Sequence, residues 1–228
     1  IARNESKMEE KLDLIKKEAP GIKTMSLVAD FSRMFGIAEY ETEVAAKLQH
    51  LDVAILVINA GVAHRGEFSK VESIGVQDTA VVNGLQYAFM AKVMAKQLNQ
   101  RIELRGKKAA MIIVSSIRAD YPVPGHLMYS ASKTFSSYLA EGLNFEWAGK
   151  VDVLSYRPSN VYSQMNTGNT NWHDFISAER SAESCLRDLG CEAMTYGDVR
   201  HESMSYYLRS LPTRYIQNMF KGLMYNFV

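Results

Sequence analysis

The sequence has 228 residues, of which 47% are hydrophobic, so one domain can bury a sizeable core. Its 26 basic and 25 acidic residues leave a net charge of +1, which argues against nucleic acid as a partner. The two cysteines lack a second pair at zinc-ligand spacing, and His64, His126 and His173 are scattered, so we predict loop or surface histidines and no metal site. No signal peptide or apolar run of about 18 residues is visible, so we expect a soluble or peripheral chain.

Short apolar runs alternate with longer helical patterns, which is typical of parallel strands joined by crossover helices. The sequence therefore predicts an α/β fold with a doubly wound parallel sheet. The predicted strands are the end of one at 1–3, followed by 22–29, 53–58, 109–114 and 151–156. The apolar, β-branched strand 53–58 is expected to be buried on both faces. The predicted helices are 6–19, 41–51, 79–104, 129–147, 182–189 and 214–227.

The strongest chemical signal is the pair Tyr129 and Lys133, which are four residues apart and share one face of a predicted helix. A tyrosine has a reference pKa of about 10, and a nearby ammonium favours the phenolate and lowers that pKa. Such a tyrosine can protonate a nascent alkoxide. Taken alone, a Tyr-x-x-x-Lys pair is common on solvated helix faces. Ser116, thirteen residues earlier at the end of a strand, favours the catalytic interpretation because its hydroxyl can polarise a carbonyl at the ligand-binding edge of a sheet.

This Ser, Tyr and Lys set resembles the short-chain dehydrogenase/reductase superfamily, and four further features agree in order and spacing. Asn59-Ala60-Gly61 resembles the Asn-Asn-Ala-Gly turn of that family, and Asp30 resembles its adenine-contacting aspartate. Asn83 resembles its fourth catalytic residue, and Arg157-Pro158 resembles the segment beside the nicotinamide. The likeness covers nearly the whole chain.

Two further segments, Tyr121-Pro122-Val123-Pro124 and Arg209-Ser210-Leu211-Pro212, resemble the branch of 17-beta-hydroxysteroid dehydrogenases and very-long-chain 3-oxoacyl-CoA reductases. The resemblance implies an NADP(H)-dependent oxidoreductase that interconverts a keto group and a secondary alcohol on a lipophilic substrate, a 3-oxoacyl-CoA or a steroid. It also implies a homodimer formed through helices 79–104 and 129–147. For the full-length protein it implies the cytosolic side of the endoplasmic reticulum membrane.

The resemblance assigns a role to each candidate residue. Tyr129 gives the proton, Lys133 tunes it and binds the nicotinamide ribose, Ser116 holds the carbonyl oxygen, and Asn83 supports a proton relay through water. The implied cofactor-binding residues are Arg3, Asp30, Asn59, Ala60, Gly61, Tyr129, Lys133, Pro158 and Val161. Arg3 suits the 2′-phosphate of NADP, because NAD enzymes generally place an acid at that strand end.

Structural alternatives remain open for several of these residues. Ser115 is interpreted as structural, and Ser116 could also cap a turn. Asp30 could be a turn or capping residue, and Asn83 could be a plain surface asparagine. The polar residues 163–174 predict a substrate loop, and the Met-rich tail with Met204, Met219 and Met224 predicts core packing or a substrate lid.

The sequence also departs from the family. Ile58 stands where the family commonly has asparagine, and Ser159 stands where it commonly has glycine. No Gly-x-Gly-x-x-Gly turn occurs, so we expect a single domain over residues 1–228 whose N-terminal strand-helix unit is missing and whose NADPH binding is weak. Without the central first strand we also expect that this chain does not fold robustly. The alternative is a catalytically silent member that acts as a binding or scaffold subunit. The intact Ser116, Tyr129 and Lys133 set argues against it.

Overall fold

The computed structural model describes residues 1–163, 166 and 173–225, with side chains described as far as residue 221. Most of the predicted substrate loop 163–174 and the side chain of Met224 therefore lie outside the described residues. The chain divides into two compact units, Ile1–Leu51 and Asp52–Val228.

The first unit is mainly helical. Its helices are α1 (Glu5–Glu18), α2 (Ile37–Tyr40) and α3 (Ala46–Leu48), with a π-helical turn at Glu41–Ala45 and a 3-10 turn at Phe31–Arg33. Asn4 caps α1 by accepting a hydrogen bond from Lys7 N at 2.9 Å, which satisfies a backbone donor left over at the helix start. The predictions of helices at 6–19 and 41–51 are confirmed, although the second one begins earlier.

The predicted strand 22–29 is wrong for most of its length. Only Val28 forms a bridge, in parallel to Ala2. Ala2 N donates to Leu27 O at 3.2 Å, and Ala29 N donates to Ala2 O at 3.1 Å. A strand needs a neighbour along its whole length to satisfy its backbone groups, and within the described part of this unit the partner extends over one residue only.

The second unit is built on a parallel sheet, which has the order β1-β2-β3-β4 within the described residues. The strands are β1 (Ile55–Ile58), β2 (Ala109–Val114), β3 (Val151–Tyr156) and β4 (Met194–Thr195). Strands β2 and β3 coincide with the predicted strands and pair from Ala109 with Val151 to Val114 with Tyr156. The predicted α/β class with a parallel sheet is confirmed.

Strand β1 is buried on one face only, contrary to the prediction for 53–58. Ile58 is buried, but Ile55 and Val57 are 49% and 53% exposed. Alternate residues of a strand point to opposite faces of the sheet. The face shared by Ile55 and Val57 opens into a cavity that Val57 lines, which explains its exposure.

The helices of the second unit are α4 (Ser73–Ala80), α5 (Gln86–Arg105), α6 (Leu127–Glu146), α7 (Ala178–Asp188), α8 (Val199–Arg209) and α9 (Thr213–Tyr225). A π-helical turn, Val81–Leu85, joins α4 to α5. Gly106 ends α5 in the left-handed conformation with φ 66°, which favours glycine. No helix within the described residues has the length and apolarity needed to cross a bilayer.

The core of the second unit lies between the sheet and the helices. Met111 and Ile113 of β2, Leu154 of β3 and Leu98 of α5 are fully buried. A separate apolar cluster lies after β2 and joins the tail helices; its buried members are Ile117, Tyr121, Val123, Tyr196, Leu208, Ile216 and Phe220. Met204 and Met219 pack against this cluster, so the core-packing alternative for the tail is confirmed for these two residues.

Candidate active site

A cavity of about 710 Å³ lies at the carboxyl ends of β1, β2 and β3. In an open parallel sheet this edge is where ligands bind, because the segments that follow neighbouring strands meet there. The predicted site residues that line the cavity are Asn59, Ala60, Gly61, Ser116, Tyr129, Lys133, Pro158 and Val161.

Ser115 and Ser116 follow β2 and have different contacts. The Ser115 hydroxyl donates to Lys133 O at 2.7 Å and accepts from the Ser137 hydroxyl at 2.7 Å. These bonds attach α6 to the end of β2, as the structural interpretation of Ser115 predicts. Ser116 Oγ accepts from Arg118 N at 3.2 Å and caps the 3-10 turn Ile117–Ala119. Ser116 is also close enough to Tyr129 for its hydroxyl to favour the phenolate, and both residues line the cavity, so Ser116 belongs to the cap and to the site.

The pKa of Tyr129 is raised from its ordinary value, chiefly by burial. The positive charge of Arg118, the hydroxyl of Ser116 and the positive charge of Arg65 all act in the opposite direction. The prediction that Lys133 lowers this pKa is wrong. Lys133 Nζ lies 5.7 Å from the centre of the Tyr129 ring, and burial lowers the pKa of Lys133 to about 7, so its ammonium is only partly charged near neutral pH.

Lys133 is held by Tyr87, a residue that the sequence analysis missed. Lys133 Nζ donates to the Tyr87 hydroxyl at 3.0 Å and to Val114 O at 2.8 Å. The fully buried Tyr87 hydroxyl is itself 3.1 Å from Ala60 O and 3.0 Å from Val114 O. Tyr87 thereby connects the ends of β1 and β2 to α6. The available signal was its position four residues after Asn83, which places both on one helical face.

Asn83 is fully buried, so the surface interpretation of this residue is wrong. It lies in the π-helical turn between α4 and α5, where such an irregularity often marks a functional position. Its side-chain amide pairs with the backbone of Val62: Nδ2 donates to Val62 O and Oδ1 accepts from Val62 N, both at 2.8 Å. A Cβ added to Gly61 would lie 3.4 Å from Asn83 Oδ1 and 3.7 Å from Lys133 Nζ. The two hydrogen bonds from Asn83 therefore hold the turn after β1 in place, next to Lys133.

Arg118 and His126 are further residues that the sequence analysis missed. His126 was predicted to be a loop or surface histidine, but it is only 3% exposed and stacks on Tyr129 with ring centres 5.0 Å apart. Arg118 donates to His126 Nδ1. Burial, followed by the charges of Arg118 and Arg65, lowers the pKa of His126 to about 3, so the ring is neutral. The sequence signal for both residues was their position between Ser116 and Tyr129. Because this segment is short and joins two site residues, it has to pack against the site.

Comparison with known proteins decides the family. The profile of the short chain dehydrogenase family matches residues 1–174, about three quarters of the chain. The chain belongs to the short-chain dehydrogenase family. Membership makes it an enzyme that acts on CH–OH and C=O groups.

Similar proteins fall in the predicted branch. A very-long-chain 3-oxoacyl-CoA reductase of Anas platyrhynchos is 26% identical over 222 residues, covering 94% of this chain and 69% of the relative. A 17-beta-hydroxysteroid dehydrogenase type 3 of Danio rerio is 25% identical over 227 residues, covering 96% of this chain and 70% of the relative. The predicted resemblance to this branch is confirmed.

Solved structures support the fold. A 7beta-hydroxysteroid dehydrogenase matches with a TM-score of 0.78 at 19% identity, covering 98% of this chain and 84% of the other. A short-chain dehydrogenase from Sphingobium yanoikuyae in complex with NADPH matches with a TM-score of 0.74 at 20% identity, covering 91% and 80%.

The two departures from the family pattern have structural explanations. Ile58 is the buried last residue of β1 and pairs with Ile113 of β2, so an apolar side chain fits this position. The Ser159 hydroxyl donates to Asp174 Oδ2, and Asn160 Nδ2 donates to both oxygens of that carboxylate at 3.1 and 3.0 Å. Ser159 therefore ties the segment after β3 to the far end of the predicted substrate loop.

An ion-pair network holds the segment that leads to Pro158. Arg157 Nη1 donates to Asp120 Oδ1 at 2.9 Å, and Arg157 Nη2 pairs with Glu141 of α6. The Tyr196 hydroxyl donates to the other oxygen of Asp120. Because the side chains of Arg157 and Asp120 are only 10% and 7% exposed, removal of either would leave a poorly solvated charge.

Arg3 and Asp30 lie in the first unit. Asp30 Oδ1 accepts from Ser32 N at 3.1 Å and from the Ser32 hydroxyl at 2.8 Å, so Asp30 caps the 3-10 turn that follows it. The capping alternative is therefore confirmed, and the contact with adenine stays a prediction. The side chain of Arg3 is exposed, and its role toward a 2′-phosphate also stays a prediction.

Proposed function

We propose that the protein is an NADP(H)-dependent oxidoreductase that interconverts a keto group and a secondary alcohol on a lipophilic substrate, a 3-oxoacyl-CoA or a steroid. The position of Ser116, Tyr129 and Lys133 together in the wall of one cavity carries this proposal. Relatives named for 3-oxoacyl-CoA reduction and 17-beta-hydroxysteroid dehydrogenation support the two substrate classes.

The described residues fit the nicotinamide end of the cofactor. Gly61 lines the cavity beside Lys133 and Asn83 and has no side chain to project into it, so this part of the turn leaves room for a ligand. Lys133 would hold the ribose, and Pro158 and Val161 would lie along the nicotinamide. The hydride for the carbonyl carbon comes from the cofactor when it is bound.

Tyr129 is suited to give the proton in the direction of reduction. Its raised pKa keeps the phenol protonated at neutral pH, and the substrate oxygen becomes a strong base as it gains negative charge. Ser116 would donate to the same oxygen. The charges of Arg118 and Arg65 would stabilise the tyrosinate left after the transfer, and Asn83 with Lys133 would support reprotonation through water.

NADP(H) is favoured over NAD(H) by the exposed Arg3, which suits a phosphate group, and similar structures were solved with NADPH and NADP. Arg3→Glu should reduce the preference for NADPH over NADH, measured as the ratio of the two kcat/KM values. Glu5→Gln is a matched exposed control that changes charge nearby and should leave the ratio within about twofold.

A substrate panel tests the proposal. The purified full-length protein should oxidise NADPH in the presence of 3-oxoacyl-CoA or steroid ketones, and it should do so faster than it oxidises NADH. Cofactor binding without turnover on any ketone would contradict the proposal and would support a catalytically silent binding subunit. For the full-length protein we propose an association with the endoplasmic reticulum membrane, which fractionation can test.

A further inference from the structure

Two arginines in the cavity wall beside Tyr129 have no carboxylate partner among the described residues. Arg118 and Arg65 both line the cavity, and neither forms an ion pair within this part of the chain. Several other arginines of the second unit do form one: Arg101 pairs with Asp52, Arg157 with Asp120, and Arg180 with Asp198.

The side chain of Arg118 is fixed by neutral groups. Its Nη1 donates to His126 Nδ1, and its guanidinium lies 6.0 Å from the centre of the Phe220 ring. Asp174 is the carboxylate whose charge favours the charged form of Arg118, but Ser159 and Asn160 already donate to it. The undescribed residues 164, 165 and 167–172 include no aspartate or glutamate.

His126 fixes the direction of the Arg118 contact. A guanidinium can only donate, so His126 Nδ1 must accept and the ring proton must be on Nε2. His126 Nε2 is buried and has no hydrogen-bond partner among the described residues. The neutral ring thus anchors Arg118 without neutralising it, and the positive charge remains in the cavity wall.

Arg65 lies in the loop after Gly61 and adds a second positive charge. It lowers the pKa of both Arg118 and Tyr129, which shows that the three groups are electrostatically close. Two like charges in one cavity wall repel each other, and the repulsion grows where water is partly excluded. An anionic ligand would remove this repulsion and accept charge-assisted hydrogen bonds from both groups.

We propose that Arg118 and Arg65 form an anion-binding subsite for the substrate, so that the ketone reduced beside Tyr129 carries a carboxylate or a phosphate group. This inference rests on the proposed function and narrows its substrate class. Neutral steroids would lack the group that the subsite recognises. A free 3-oxo acid would supply a carboxylate, and a 3-oxoacyl-CoA would supply phosphates.

The test compares kcat/KM for a neutral methyl ketone, a 3-oxo acid and a 3-oxoacyl-CoA of equal acyl length. Because both charges also stabilise the tyrosinate, Arg65→Gln and Arg118→Gln should slow reduction of the neutral ketone as well, but each should lower kcat/KM for an anionic ketone by about tenfold or more beyond that loss. Whichever anionic ketone shows the loss identifies carboxylate or phosphate as the group. Arg214→Gln removes the same charge outside the cavity wall and should change none of the three values beyond about twofold.

The subsite would be refuted if the variants lost kcat/KM equally on neutral and anionic ketones. It would also be refuted if kcat/KM were unchanged in both variants. Arg65 is exposed, so its variant keeps the test meaningful if Arg118→Gln fails to fold. Arg118→Lys, which keeps the charge, should retain more of the preference for anionic ketones than Arg118→Gln.

A binding measurement separates this inference from the proposed function. Titration calorimetry with benzoate and phenyl phosphate, against neutral benzyl alcohol, should show anion binding in wild type and in Tyr129→Phe. The same binding should weaken about tenfold or more in Arg65→Gln. If wild type binds the anions, Arg65→Gln binds them more weakly and no ketone is turned over, the proposed function is refuted and the subsite stands. If wild type and Arg65→Gln bind the anions equally, the subsite is refuted.

Discussion

At the residue scale, the electrostatic environment of Tyr129 is set by burial and by groups other than its sequence neighbour Lys133. Burial raises the pKa of Tyr129, while Arg118, Ser116 and Arg65 lower it. Lys133 donates instead to Tyr87 and to the end of β2. These hydrogen bonds therefore position Lys133. We expect its contribution to catalysis to depend more on this position than on a permanent positive charge.

The first prediction concerns Tyr87. Tyr87→Phe removes the hydroxyl that accepts from Lys133 and lies within hydrogen-bonding distance of Ala60 O and Val114 O. Because these groups are buried, the variant should lose about 1–3 kcal/mol in free energy of unfolding, measured by urea denaturation. Tyr206→Phe removes a hydroxyl that is exposed to water and should change this free energy by less than about 0.5 kcal/mol. Equal stability of the two variants would contradict the role given to Tyr87.

The second prediction concerns the pH dependence of stability. Burial lowers the pKa of Lys133 from 10.5 to about 7 in the folded protein. Between these values the unfolded chain holds the proton and the folded protein has released it, so the free energy of unfolding rises with pH. The cost of the buried ammonium is therefore greatest below pH 7. For this group the slope is at most about 1.4 kcal/mol per pH unit.

Lys133→Met tests this slope, since it keeps the length of the side chain and removes the titrating group. Urea denaturation between about pH 7 and 8.5, without cofactor, should show a smaller rise in stability for the variant than for wild type. Burial raises the pKa of the Cys185 thiol, so ionisation of this thiol in the unfolded chain lowers stability toward pH 8.5, but it does so equally in wild type and Lys133→Met and cancels in their comparison. Parallel pH profiles for the two proteins would show that the folded state keeps Lys133 charged.

At the element scale, α6 has an apolar face that nothing in the described residues covers. Tyr138 and Phe145 are 81% and 87% exposed and lie seven residues apart, which places them on one stripe of the helix. Gly142 lies between them, and a Cβ added there would meet nothing within 4 Å. Large exposed apolar side chains beside a small residue suit close packing against another copy of the same helix.

The third prediction is that this face forms a homodimer. The double variant Tyr138→Glu with Phe145→Glu should shift the protein from dimer to monomer, measured by sedimentation at micromolar concentration, because it places charges in the contact. Tyr206→Glu alters a tyrosine of α8 that is also 81% exposed and should leave the dimer intact. A wild-type monomer at that concentration would refute the prediction.

Elements that depend on local pattern were predictable from the sequence. Strand β2 is a continuous apolar run, β3 is mostly apolar with Asp152 and Ser155 as exceptions, and the predicted bounds of both match the structure. Helix α8 was missed because its apolar residues do not form one stripe, and Val199 and Tyr206 are exposed. Strand β4 has two residues and exists only through its pairing with β3, a tertiary contact that no local pattern encodes.

At the scale of the whole molecule, the sheet brings three strand ends to one cavity, and family spacing was sufficient to predict Ser116, Tyr129 and Lys133 in its wall. The residues that hold and charge the site were missed, because their sequence signals are weak. Tyr87 and His126 resemble ordinary helix and loop residues in the sequence, and only their burial against Lys133 and Tyr129 reveals their roles. Spacing along the chain does not report which groups share a buried environment.

The central claim is that Tyr129 is the proton donor of an NADPH-dependent ketone reductase, and Tyr129→Phe tests it most directly. Turnover number and NADPH affinity should be measured together on wild type, Tyr129→Phe and the exposed control Tyr207→Phe. We expect Tyr129→Phe to lower the turnover number by about 10²-fold or more and to leave NADPH affinity little changed, because only a hydroxyl is lost. Tyr207→Phe should match wild type. An unchanged turnover number in Tyr129→Phe would show that another group is the acid and would contradict the account.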